Sequence, residues 1–267
     1  MHINSYSLQG KRDSNEDQHI SILNITNANK KINPINFIGV FDGHGGKAVS
    51  KYLKKNLPYY FLKKNKVNIY CERSNITKYF FNKLFDNIQT KLYKSHPIIA
   101  SRCGSTCLCG IQYIDKKGKS NLWMLNIGDS RAVMCNYKGE TIALTVDHKP
   151  NSKSERKRIR KLGGKIKFDG VDWRIKDLSL SRAIGDLDTA PYVTHKPDIF
   201  KYKLHKDDKF IIFACDGLWD VVSNYKAVHF VNKLINKKYT GNIAKQLAEY
   251  AIKKGSYDNV TVSILFF

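Results

Sequence analysis

Apolar runs in this chain repeatedly stop at an acidic residue flanked by Gly, His or Asn. Phe37–Phe41 leads into Asp42-Gly43-His44-Gly45-Gly46, and Asn121–Ile127 leads into Gly128-Asp129-Ser130-Arg131. Phe210–Cys215 leads into Asp216-Gly217-Leu218-Trp219-Asp220. Asp258-Asn259 precedes the run Val260–Phe267, and Glu16-Asp17 precedes the segment that starts at His19. Acids are scarce, 23 against 46 Lys and Arg, so the place of each is informative. One Asp-Gly alone reads as a turn. Five acidic junctions at strand ends point to one rim of a sheet, where their side chains converge. Crowded carboxylates repel one another, and near neutral pH they need protons or cations. An all-oxygen donor set suits Mg2+, Mn2+ or Ca2+ rather than zinc or copper. Two such ions roughly 3.5–4 Å apart clamp a phosphoryl group and lower the pKa of a shared water. Arg12, four residues before Glu16, offers a bidentate phosphate clamp. His44, two residues from Asp42, is placed to donate a proton to a leaving oxygen.

The elements that must hold these groups are legible from hydrophobic patterning. Ile3–Leu8, His19–Ile25, Asn36–Phe41, Ser105–Ile114, Asn121–Ile127, Ala132–Asn136, Lys209–Cys215 and Val260–Phe267 read as strands. Many are apolar almost without interruption, which predicts strands covered on both faces. Gly46–Lys64, Asn75–Lys94, Ser223–Lys237 and Asn242–Lys254 read as helices, with Ser223 and Asn242 as N-caps. Phe81, Phe85, Ile88 and Leu92 form a core stripe at helical spacing. Asn151–Gly164 reads as a basic helix closed by Gly163-Gly164, followed by an irregular lobe over Lys165–Asp177. Helices grouped in pairs between groups of strands predict an α+β fold, with helices outside a mainly antiparallel β sandwich.

The chain has 267 residues, 42% of them hydrophobic, enough for one large domain with a substantial core. No apolar run approaches membrane-spanning length, and MHINSYSLQGKR has no stretch of signal-peptide character. The six cysteines, Cys71, Cys103, Cys107, Cys109, Cys135 and Cys215, form no CxxC pair and read as reduced thiols of a cytoplasmic or nuclear protein. The net charge of +23 comes largely from scattered lysine doublets, the mark of a solvated surface. The denser run Lys153–Lys161 is a candidate for attracting acidic phosphoproteins, and nucleic-acid binding is the rival reading of the same charge.

RDSNED, FDGHGG, GSTC, IGDSRA, DHKP, LSRAIGD, ACDGLWDVVS and YDNVTV follow one another from residue 12 to residue 262. In these motifs and their order the chain resembles the type 2C (PPM) metal-dependent serine/threonine protein phosphatases. The resemblance implies a four-layer αββα sandwich of two antiparallel sheets flanked by helix pairs, acting as a single catalytic domain over residues 1–267 with a flap lobe around 151–180. It implies two Mg2+ or Mn2+ ions, with a third, weaker one. Asp42 would bridge the pair; Asp216 and Asp258 would complete one ion, and Glu16 with the Gly43 carbonyl the other. Asp17 would act through bound water, while Asp129, Asp216 and Asp220 would hold the third ion. Arg12 would grip the substrate phosphate, His44 would be the general acid, and a metal-bridging hydroxide would attack phosphorus in line. Phosphorylated proteins would be the substrates and the enzyme a monomer, with no specific nucleic acid and no membrane span. The stretch before LSRA departs from the family pattern, reading Arg174-Ile175-Lys176-Asp177.

Other phosphatase chemistries fit poorly. No cysteine has the arginine six residues later that a cysteine-dependent phosphatase needs, and no GNHE-like segment accompanies the Asp-Gly-His. A P-loop ending in Gly118-Lys119-Ser120 would need Gly where Tyr113 stands. A catalytically silent relative acting as a binding module would have lost Asp42, Asp216 or Asp258, and all are present.

Overall fold

The computed structural model describes residues 1–25, 34–64 and 74–267, so Cys71 lies outside it. Chain order runs β1 (His2–Leu8), β2 (Gln18–Ile22), β3 (Ile35–Phe41), β4 (Gly43–His44), α1 (Ala48–Lys64), α2 (Ser74–Ser95) and α3 (Pro97–Arg102). It continues through β5 (Gly104–Ser105), β6 (Cys107–Ile114), β7 (Ser120–Ile127), β8 (Arg131–Cys135), β9 (Thr141–Ala143) and α4 (Lys153–Lys161). Then come β10 (Lys167–Phe168), β11 (Trp173–Arg174), β12 (Ile184–Gly185), β13 (Asp198–Lys203) and β14 (Phe210–Ala214). The remainder holds α5 (Asp216–Trp219), α6 (Asn224–Asn236), α7 (Ile243–Lys253) and β15 (Val260–Phe266).

Two five-stranded sheets, ordered β1-β15-β14-β8-β9 and β13-β7-β6-β3-β2, pair antiparallel throughout. Side chains alternate across a strand, and here both faces of the central strands are covered. In β14, Phe210, Ile212 and Ala214 pack against α6 and α7, while Ile211 and Phe213 face the other sheet. In β7, Trp123, Leu125 and Ile127 join the core under α1 and α2, while Leu122 and Met124 face the sandwich interior. The result is an α+β arrangement of four layers with three apolar seams. Phe81, Phe85, Ile88 and Leu92 of α2 are buried in the outer seam, as their spacing predicts.

Ser223 and Asn242 cap α6 and α7, accepting hydrogen bonds from the backbone N–H of Lys226 and Lys245. The basic helix α4 ends as its Gly-Gly predicts. Gly163 adopts φ +81°, and the Gly163 and Gly164 N–H groups donate to the Arg160 and Ile159 carbonyls, the paired bonds of a Schellman cap. Beyond it, Lys165–Asp177 contains the two-stranded hairpin β10-β11. A small cluster of Ile159, Ile175, Leu180, Ala183 and Val193 fastens this region to α4.

The patterning missed α3 and β13. α3 has six residues opened by Pro97, too few to display a helical period. β13 is an edge strand, DIFKYK, with half of its residues charged and none fully buried, so its apolar signal is weak.

Candidate active site

The antiparallel pairing explains why the acidic junctions meet. Neighbouring strands run in opposite directions, so a residue just after one strand lies beside a residue just before the next. Asp42 follows β3 and Asp216 follows β14, whereas Asp17, Asp129 and Asp258 precede β2, β8 and β15. All therefore fall on one rim. Thr106 of the GSTC motif pins two of them. Its Oγ1 accepts from the Asp42 N–H at 3.0 Å and shares a 2.8 Å hydrogen bond with Ser130, and its own N–H donates to the Asp42 carbonyl at 2.8 Å. The side chain of Asn259 ties the Arg12–Asp17 loop to the same rim. It donates to the Gln9 and Ser14 carbonyls and accepts from the Glu16 N–H at 2.8 Å.

The rim opens into a cleft of about 800 Å³ lined by Arg12, Glu16, Asp42, Gly43, His44, Asp129, Asp216, Asp220 and Asp258. Asp17 lies beneath it, 3% exposed. Ligand atoms of Asp42, Asp129 and Asp216 lie within 4.8 Å of one another, as do those of Asp17, Asp42 and Cys215. Asp42 belongs to both groups. Burial, followed by repulsion from Asp216, Asp17 and Asp129, pushes the Asp42 carboxyl well above the ordinary range. Burial likewise raises Asp216, with Asp129 adding to it and Lys149 opposing. Burial pushes Asp17 up to about 6, and neither of its oxygens has a partner in good hydrogen-bond geometry. Cys215 is a poor donor to a hard ion: burial holds its thiol well above the ordinary range, and its Sγ already bonds the Asn259 carbonyl and Thr261 N–H. Glu16 stands apart from both groups, with Oε2 accepting from the Gly46 N–H at 3.0 Å.

A family model for protein phosphatase 2C matches residues 1–260. Protein phosphatase 1L of Bos taurus is 35% identical over 98% of this chain and 71% of its own. A PP2C-like domain-containing protein of Acanthamoeba polyphaga mimivirus is 45% identical over 58% of this chain and 98% of its own. The chain belongs to the protein phosphatase 2C family. Among solved structures, a C. elegans sex determining protein superposes with a TM-score of 0.86 at 26% identity, covering 99% of this chain and 64% of that one. A serine-threonine phosphatase 2C from Toxoplasma gondii has the same fold, with a TM-score of 0.78. Protein phosphatases 2C are metal-dependent serine/threonine protein phosphatases, and that is the function class of this chain.

Within this type 2C centre, the tertiary structure adds residues to which the sequence assigned no chemistry. Lys149 places its Nζ 2.6 Å from Asp129 Oδ2 and 3.8 Å from Asp216 Oδ2. Burial opposes its charge, but Asp129 and Asp216 outweigh that and raise its pKa. Asp186 joins its Oδ2 to His44 Nε2 at 2.7 Å. Burial works against the imidazolium, and the Asp186 contact overrides it, leaving His44 raised above 6.5. Gly104 makes room for this pair, since a Cβ there would sit 2.1 Å from Asp186 Oδ2 and 2.3 Å from His44 Nε2. Arg12, mostly exposed, donates from Nη2 to Asp258 Oδ2 at 2.7 Å. In the sequence, Lys149 and Asp186 are marked by the motifs DHKP and LSRAIGD, which name no chemistry by themselves.

Proposed function

We propose that the cleft hydrolyses phosphoserine and phosphothreonine esters of protein substrates with the help of two divalent cations, Mg2+ or Mn2+. The observation that carries this reading is Asp42, whose carboxylate belongs to both acidic groups. The donor set fits such ions. It consists of buried carboxylates that raise one another's pKa and lack protein cations in sufficient number to neutralise them. Asp42, Asp216 and Asp258 would hold one ion and Asp42, Glu16 and the Gly43 carbonyl the other, with Asp17 supporting them and Asp129, Asp216 and Asp220 serving a third. Bound there, the ions supply charge neutralisation for the phosphoryl group and a water acidic enough to lose its proton near pH 7.

The chain's own residues do the rest. Arg12 uses the N–H donors not committed to Asp258 to grip phosphate oxygens. His44, whose imidazolium form the Asp186 carboxylate favours, donates its proton to the departing serine or threonine oxygen. The lobe around residues 151–180 forms part of the cleft wall through Val171, Asp172 and Arg174, in one catalytic domain. Free thiols at Cys103, Cys107, Cys109, Cys135 and Cys215 support a cytoplasmic or nuclear setting, and the charge of +23 favours a monomer.

The test is phosphate release from a phosphothreonine peptide with Mn2+ or Mg2+, against EDTA and against Asp42→Asn. Turnover is expected only with metal, and Asp42→Asn should lower kcat by at least about 100-fold. Folded protein that released no phosphate with either metal would sink the proposal.

A further inference from the structure

The α6–α7 pair carries a groove of about 450 Å³ whose lining shares no residue with that of the acidic cleft. Phe230, Leu234 and Tyr250, all half-buried, form an apolar floor, with the Phe230 and Tyr250 rings stacked at 4.6 Å. Lys226, Lys233, Lys237 and Lys253 stand exposed around it. Among the described residues, none of these four lysines enters an ion pair. Glu249 is the one acid of the lining, and Lys245 and Gln246 already engage it.

The groove does not end at the helices. Glu249 and Lys253 also line an adjoining depression that reaches Leu8, Gly10 and Lys11. Lys11 sits 4.0 Å from the centre of the Tyr257 ring, and Tyr257 with Arg12 lines the catalytic cleft. A path bordered by Lys253, Lys11 and Arg12 thus connects the groove with the place where phosphate would bind.

We infer that this path seats an acidic segment of the phosphoprotein substrate, anchored by apolar side chains and lying apart from the phosphorylated residue. The inference rests on the phosphatase reading of the cleft and adds a substrate class to it. Unpaired lysines around an apolar floor match a segment with Leu or Phe at i, i+3, i+4 and i+7 and Asp or Glu between them, the pattern of an amphipathic helix in a groove. The volume lies within the range of about 300–1,000 Å³ common for binding pockets. A second copy of this chain, also carrying +23, would be repelled. A nucleic acid would meet the same lysines through its phosphates and is the competing outcome that the experiment decides.

The experiment compares three substrates on the full chain: p-nitrophenyl phosphate, a short neutral phosphothreonine peptide, and that peptide extended by an acidic segment bearing Leu and Phe, at its N-terminus in one peptide and its C-terminus in another. The better extension should lower KM about tenfold with kcat unchanged. Lys233→Glu combined with Lys237→Glu, both at exposed positions, should erase that gain and leave the other two substrates unaffected. Fluorescence anisotropy of the labelled, unphosphorylated segment should show binding that the double variant loses. Equal KM for short and extended peptides, or an equal effect of the variant on both, would overturn the inference. Tighter, lysine-dependent binding of a single-stranded oligonucleotide would overturn it in favour of nucleic acid. Silence toward p-nitrophenyl phosphate would strike the reading of the cleft, while the anisotropy judges the groove independently of turnover.

Discussion

His44 and Asp186 are separated by 142 positions and joined by one 2.7 Å contact. Asp186 sits in the left-handed region at φ 51° and is 4% exposed, so its carboxylate is held in place by backbone and burial together. Asn tolerates that backbone conformation, which makes Asp186→Asn a clean removal of charge. With the charge gone, only the weaker attraction of Asp129 and Glu16 opposes the burial of His44, and the imidazolium is less favoured. We expect kcat to fall about 10- to 100-fold while KM stays within about twofold. Steady-state kinetics on a phosphothreonine peptide checks this, with Mn2+ titration by calorimetry to show that metal affinity is retained. An unchanged kcat would remove His44 from the acid role. At this scale, the rim acids were readable in the sequence because five acidic junctions recur at the ends of apolar runs in a chain poor in acids. Lys149, Asp186 and Asn259 were not, because each acts on a residue distant in sequence.

α4 illustrates what an element can conceal. Its sequence reads as a solvated basic helix, yet Glu155 on its inner face is 1% exposed. Glu155 accepts hydrogen bonds from Arg158 at 2.8 Å, Arg182 at 2.7 Å and Ser181 at 2.9 Å. Arg182 continues to Asp198 of β13 at 2.8 Å, and Asp198 to His148 at 3.1 Å. Four segments are thereby locked together beside the cleft. Burial would raise Glu155, but Arg182 and Arg158 prevail and bring it down to about 2. A carboxylate depressed in the folded state stabilises the fold above its unfolded pKa, near 4.3. That stabilisation is lost as pH falls from there through about 2. Glu155→Gln should therefore cost about 2 kcal/mol at pH 7, and the difference from wild type should shrink as pH approaches 3. Urea unfolding at several pH values measures it; a pH-independent difference would mean that packing, not charge, is the source.

Across the whole molecule the excess of 23 positive charges surrounds one acidic cleft. Lys153, Arg156, Lys157, Arg160 and Lys161 are exposed on α4, whose lobe borders that cleft. Reversing several of them should raise KM for acidic phosphopeptides at low ionic strength and leave kcat nearly unchanged. The effect should fade by about 0.5 M salt, where the Debye length falls to a few ångströms. A KM that does not move would mark α4 as a solvated face only. Persistence at high salt would separate the apolar-anchored α6–α7 groove from this long-range attraction.

Most of the longer strands and helices, the antiparallel sandwich and the acids at the strand ends were legible in the sequence. Period-2 and helical patterns are local, and the +23 background makes each carboxylate conspicuous. β13 stayed hidden because an edge strand need not alternate strongly, and α3 because six residues cannot show a period. The His44–Asp186 pair, Lys149 among the acids, the Glu155 network and the path from α6–α7 to Arg12 were decided only by tertiary structure. Each is a contact between residues far apart in the chain, and such contacts exist only once the sheets have set their register.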